Sequence, residues 1–162
     1  MMTGEYSVCG NIAVGHKLLP AGEGLEKVTA DIAIFALGWE SRFLALESHV
    51  ALNIKRILVL DFELADTGDQ VIEANRKKLL GLAKKLDVAI TEIKLAPSTE
   101  FLKNINTLGH TLTELARQIG TYHGSLRRVF IECSTMPRVY IQWLVAFGFG
   151  SIGAFPAVDF GY

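Results

Sequence analysis

The chain has 162 residues, half of them hydrophobic, and sixteen Lys and Arg against seventeen Asp and Glu leave a formal charge of −1. That length buries a substantial core as one domain, and a balanced charge excludes a protein built chiefly to coat duplex DNA or an anionic membrane, both of which need a basic field. Two cysteines, Cys9 and Cys133, make neither a disulfide framework nor a structural zinc site, which fits a reducing cytoplasm.

Met1 to Cys9 carries Glu5 and no basic stretch leading into an apolar one, so it does not read as a signal peptide. Residues 1–30 are rich in glycine, and Tyr6 to Leu19 is expected to form a β-hairpin within an N-terminal extension. From residue 31 onward, short apolar runs alternate with amphipathic stretches, the pattern of an α/β domain with a mainly parallel sheet. Five strands are expected: Asp31 to Leu37, Arg56 to Phe62, Val88 to Leu95, Arg128 to Cys133 and Ile152 to Phe160. The first, second and fourth are continuous apolar runs, as strands buried on both faces should be.

Helices are expected between them. Arg42 to Asn53 places Phe43, Leu46 and Val50 on one side, and Asp69 to Leu86 repeats Ile72, Leu79, Leu82, Ala83 and Leu86 toward the core. Arg76, Lys77, Lys78, Lys84 and Lys85 then form a solvated face. Thr107 to Tyr122 repeats Leu108, Leu112, Leu115, Ala116 and Ile119, and Pro137 to Phe147 opens with proline, where a missing donor costs nothing. Val139 to Val158 is uncharged and matches the roughly 20 residues of a membrane span, but Gly148, Gly150, Gly153 and Pro156 favour a helix, a turn and a strand. The excess of apolar side chains between Trp143 and Phe155 suggests a homodimer or a fused effector domain. An apolar strand reaching Tyr162 without a polar tail fits a fragment of a larger protein.

Ligands of open parallel sheets bind beyond the carboxyl ends of the strands. Beyond the first strand stand Gly38, Trp39, Glu40, Ser41 and Arg42. Beyond the second stand Asp61, Glu63 and Asp66, and beyond the fourth runs Glu132-Cys133-Ser134-Thr135-Met136-Pro137-Arg138. Two hydroxyls before a helix whose first turn carries an arginine make an anion seat, since orphan N–H groups, the helix dipole and a guanidinium all attract phosphate. Trp39 is placed to stack on a base, and Glu40, Ser41 and Asp61 to complete a pocket. A plain reading stands beside this one: Ser134 or Thr135 caps the helix, and Arg138 pairs with Glu132 or Asp61.

No G-x-G-x-x-G or Walker loop is present, Cys133 and Arg138 enclose four residues where a phosphatase loop has five, and the four histidines lie apart from the strand ends. Glu132-x-Ser134-x-x-x-Arg138, between a buried strand and a helix of a Rossmann-like three-layer sheet, resembles the [DN]-x-[ST]-x-x-x-[RK] signature of CARF domains. Those are cyclic-oligonucleotide sensors of CRISPR-associated and related defence proteins. The resemblance covers seven residues and implies a homodimer with the ligand across its two-fold axis. It implies that Ser134, Thr135 and Arg138 touch the ligand, faced by Gly38, Glu40 and Ser41. Glu stands where that family has Asp or Asn.

The expected function is therefore a sensor domain for a nucleotide or other phosphorylated molecule, with no cofactor and no catalytic residue assigned. Two alternatives are a hydrolase in which Glu40, Asp61, Glu63 and Glu132 hold Mg²⁺, and a structural partner domain that binds no small molecule.

Overall fold

Ile32–Leu37 is an unbroken apolar run in which each residue is buried, as a strand covered on both faces must be. In the computed structural model it is the central strand of a sheet. The structure describes residues 5–9, 12–16, 25–38, 43–44, 50–62, 69–96, 100–120, 126, 128–149, 155 and 157–161. Along them run β1 (Glu5–Cys9), β2 (Ile12–His16), β3 (Glu26–Thr29), β4 (Ile32–Leu37), β5 (Val50–Asn53) and β6 (Arg56–Phe62). They are followed by α1 (Asp69–Leu86), β7 (Ala89–Leu95), α2 (Phe101–Gln118), β8 (Arg128–Glu132), α3 (Arg138–Phe149) and β9 (Ala157–Gly161).

Five strands form one parallel sheet in the order β7-β6-β4-β8-β9, and all five lie in the expected segments, although the last is Ala157–Gly161 where a strand from Ile152 was expected, and Phe155 is outside it. Residues alternate between its faces. Ala33, Phe35, Leu37, Ile57 and Val59 pack with Leu79, Leu82 and Ala83 of α1. Ile34, Ala36, Leu58 and Leu60 pack with Leu108, Leu112 and Leu115 of α2 and with Tyr140 and Leu144 of α3. The chain steps outward from β4 to β6 and β7, then returns past β4 to β8 and β9. Right-handed crossovers put the helices of the two journeys on opposite faces, which makes the fold a Rossmann-like three-layer α/β domain.

Two of the expected helices are corrected. Val50–Asn53, expected at the end of a helix from Arg42, is instead a strand paired in parallel with β3, Glu26 opposite Val50 and Thr29 opposite Asn53. Phe43 and Leu44 form a turn, with Leu44 at φ 62°, while residues 42 and 45–49 lie outside the described set. Helical spacing of apolar residues was present there, but a strand partner more than twenty residues upstream decides the conformation. Phe43 and Val50, expected on the core side, are nevertheless buried, as is Leu44; Leu46 lies outside the described residues. The helix expected from Thr107 begins six residues earlier, because Phe101 and Ile105 extend the stripe of Leu108, Leu112 and Leu115.

The expected hairpin is formed by β1 and β2, antiparallel from Glu5 opposite His16 to Cys9 opposite Ile12. Val139 to Val158 is not a continuous helix, since α3 ends at Phe149 and β9 begins at Ala157. Among the described residues no helix is long and apolar enough to cross a membrane.

Candidate functional site at the strand-order reversal

The strand order reverses between β4 and β8, and there the ladder stops early. β4 pairs with β6 as far as Leu37 opposite Asp61, and β8 pairs with β9 as far as Glu132 opposite Gly161. Between β4 and β8 the register ends at Ile34 opposite Ile131. Thr135 fills the opening: its Oγ1 donates to the Ala36 carbonyl at 2.6 Å, replacing a lost ladder bond. A Cβ on Gly38 would stand 2.7 Å from the Thr135 Cβ, so only glycine admits this approach. From α1 the buried Asn75 donates its Nδ2 to the Gly38 carbonyl at 2.8 Å. Gly38 is thus fixed from both sides.

The turn after β8 is organised by its own side chains. Glu132 is buried, and its Oε1 accepts the Ser134 N–H at 3.0 Å. The Pro137 carbonyl accepts from the N–H groups of Tyr140 at 2.9 Å and Ile141 at 3.4 Å, so α3 starts at Arg138. The N–H groups of Arg138 and Val139 precede the first possible intrahelical acceptor and carry the positive end of the helix dipole. Arg138 is exposed, and among the described residues it makes no ion pair with Glu132, Asp61 or any other acid. The Ser134 hydroxyl oxygen is shielded from solvent and has no hydrogen-bond partner among the described residues. Such an arrangement favours an anion.

Cys133, in the same turn, is a poor nucleophile. Burial, reinforced by the charge of Glu132, pushes its thiol up to about 11, and its Sγ lies 3.6 Å from the Ile131 carbonyl.

Asp61 does reach this edge, opposite Leu37, but its charge is already engaged. Arg76 Nη2 of α1 lies 3.0 Å from Asp61 Oδ2, and the same guanidinium binds Glu92 of β7 and approaches Glu73 at 3.5 Å. Arg76, expected on a solvated face, is only 28% exposed and acts as a cross-link between α1 and two strands. Trp39, Glu40, Ser41 and Arg42 lie outside the described residues, as do Glu63 and Asp66. Gly38 and Thr135 are in contact, and Ser134 and Arg138 belong to the same turn and the helix start that follows it. Thr135, however, spends its proton on the backbone.

Two asparagines escaped the sequence reading. Asn104 of α2 accepts the Ala96 N–H at 3.0 Å, donates to the Ala96 carbonyl at 2.9 Å and donates to the Tyr140 hydroxyl at 2.7 Å. Tyr140 sits edge-on to Phe62 and Phe101, with ring centroids 4.8 and 5.2 Å away. This brace holds the first turn of α3 against α2 and the end of β6. Asn75 plays the equivalent part for α1. Each asparagine interrupts an apolar helical stripe, Asn75 between Ile72 and Leu79 and Asn104 between Phe101 and Leu108, and a polar residue at such a place must find buried partners.

Among the described residues no three His, Cys, Asp or Glu side chains are grouped to hold a metal ion. No family model, curated protein or solved structure matches this chain.

Proposed function

We propose that this Rossmann-like domain is a sensor or regulatory module that binds a nucleotide or other phosphorylated molecule at the reversal between β4 and β8. One observation carries the reading: an exposed guanidinium with no acid partner among the described residues, Arg138, at the positive end of α3 and four residues from the shielded hydroxyl of Ser134. The ligand phosphate would take the orphan N–H groups and a charge-assisted bond from Arg138.

The likeness of Glu132-x-Ser134-x-x-x-Arg138 to the CARF signature extends this reading to a cyclic oligonucleotide held across the axis of a homodimer in the cytoplasm. Glu132 then serves the turn by holding the Ser134 N–H, and Gly38 serves it by admitting Thr135. The Mg²⁺-hydrolase reading has less support, because Asp61 is bound by Arg76 and Glu132 by its own turn.

Arg138→Ala tests the proposal, with thermal melting and calorimetric titration against inorganic phosphate, nucleoside mono- and diphosphates and cyclic oligonucleotides. Wild type should be stabilised by at least one phosphorylated compound, and the variant should bind it about 10- to 100-fold more weakly at an unchanged melting temperature. No stabilisation of wild type by any of them, or a large drop in the melting temperature of the variant alone, would overturn it.

A further inference from the structure

On the α1 face of the sheet lies an apolar cavity of about 110 Å³. It is lined by Phe35 of β4, by Leu82 and Leu86 of α1, and by Val50 and Leu52 of β5 with Leu25. Leu82 and Leu86 belong to the end of α1 that leads into the start of β7, so the cavity is remote from the turn between Ser134 and Arg138.

A single water needs roughly 10 to 15 Å³ of such space, and interiors hold few larger voids, because wall atoms facing emptiness forfeit dispersion contacts. This cavity is several times that size. It is reachable from solvent past an apolar rim, since Leu25 is 53% exposed. Among the described residues, Lys85 is the one lining side chain able to form a hydrogen bond, and it already has an interaction partner. A charged or strongly polar guest would therefore shed water without compensation. An uncharged apolar guest sheds little and restores the missing contacts.

Two further features bear on the guest. Phe35 is fully buried and packs edge-on to Phe43 and tilted to Phe130, with ring centroids 6.4 and 6.5 Å away. A guest ring beside Phe35 extends this cluster by the same kind of contact. Among the described residues β5 pairs only with β3, and a two-stranded ladder is marginal unless it packs on a neighbour. A guest held between β5 and α1 adds to that packing.

We propose that this cavity is a second, independent binding site, which takes one uncharged aromatic ring. An apolar cavity of about 150 Å³ with similar walls accepts benzene, so a single ring is the largest body that fits.

The test is a methyl NMR titration of the intact chain with toluene, with cyclohexane and with benzoate. Toluene should shift the methyls of Leu25, Leu44, Leu52 and Leu82 saturably, and leave those of Leu112 and Leu144 on the opposite face in place. It should also give intermolecular NOEs to Leu52 and Leu82. Cyclohexane, which lacks the ring contact, should bind about two- to tenfold more weakly. Benzoate should bind at least about tenfold more weakly, because its carboxylate finds no partner. Val50→Phe, which fills the cavity from β5, should abolish toluene binding in a chain that still melts cooperatively. No saturable shift in wild type, cyclohexane or benzoate binding as tightly as toluene, or undiminished binding to folded Val50→Phe would each overturn the proposal. If Val50→Phe does not fold, the wild-type NOEs decide, and their absence from both Leu52 and Leu82 overturns it.

Discussion

The Thr135 hydroxyl donates to the Ala36 carbonyl across 2.6 Å, just where β8 has left β4. The bond turns a gap in the sheet into a defined loop position. Thr135→Val keeps the shape and removes the donor. It should cost about 1 to 3 kcal/mol in urea denaturation, the penalty for leaving a carbonyl unsatisfied. Thr135→Ser keeps the bond and should lose only about 0.8 kcal/mol for the missing methyl. A larger loss in Thr135→Ser than in Thr135→Val would show that the methyl, packed on Gly38, matters more than the bond.

Gly148 should tolerate no side chain. A Cβ there would come within 2.2 Å of the ring of Phe155, which is fully buried and whose N–H donates to the Gly148 carbonyl at 3.4 Å. Gly148→Ala is expected to destabilise by about 1 to 3 kcal/mol. Phe155→Leu in the same chain should recover part of that loss, giving a coupling energy above about 0.5 kcal/mol in a double-mutant cycle. Gly81 of α1 is the internal control. Nothing lies within 4 Å of a Cβ placed on it, so Gly81→Ala should stabilise by about 0.5 to 1 kcal/mol.

The contrast between those glycines bears on how much of the fold can be read from residues alone. Ile32 to Leu37 and Arg56 to Leu60 announce buried strands because they are short, rich in Ile, Leu and Val and flanked by polar residues, and α1 is framed to the residue by its periodicity. β5 was not legible, because its conformation is set by β3, and a pairing between distant segments leaves no mark on spacing within either. The site shows the same division. The turn and helix start that hold Ser134 and Arg138 were legible from their place beyond a strand, a local feature. Arg76 was missed because its acids, Asp61 and Glu92, come from two different strands brought together by the sheet. The bond of Thr135 to the Ala36 carbonyl was not legible, since the early end of the β4–β8 ladder is a property of three dimensions.

Arg76 supplies a stability prediction of its own. Asp61 is 14% exposed and Glu92 32%, so Arg76→Ala would leave two partly desolvated carboxylates facing one another. The expected loss is about 1 to 3 kcal/mol, between an exposed pair and a buried one. Adding Asp61→Asn should restore part of it by removing the repulsion. A loss below about 0.5 kcal/mol, unchanged between low and high salt, would reduce Arg76 to a surface residue.

Cys133 offers a pH test of the turn that carries the proposed site. Its thiol is raised from 9.0 to about 11, first by burial and then by the charge of Glu132. In a Cys9→Ser background, alkylation by iodoacetamide at pH 8 should therefore run at about one-hundredth of the rate for a free thiol of that ordinary value, and climb toward pH 11. The sign for stability follows from the same shift. The fold favours the neutral thiol, so this contribution is complete below about pH 9 and is lost between pH 9 and about 11, as the unfolded chain ionises first. Other groups titrate in that range, so the informative quantity is the difference between wild type and Cys133→Ser across it. That difference should shrink as pH rises. Glu132→Gln should bring the thiol down without returning it to 9.0, because burial is the larger cause. Rapid alkylation at pH 8 would mean that the thiol is open to solvent, and with it that the turn from Glu132 to Arg138 is arranged differently.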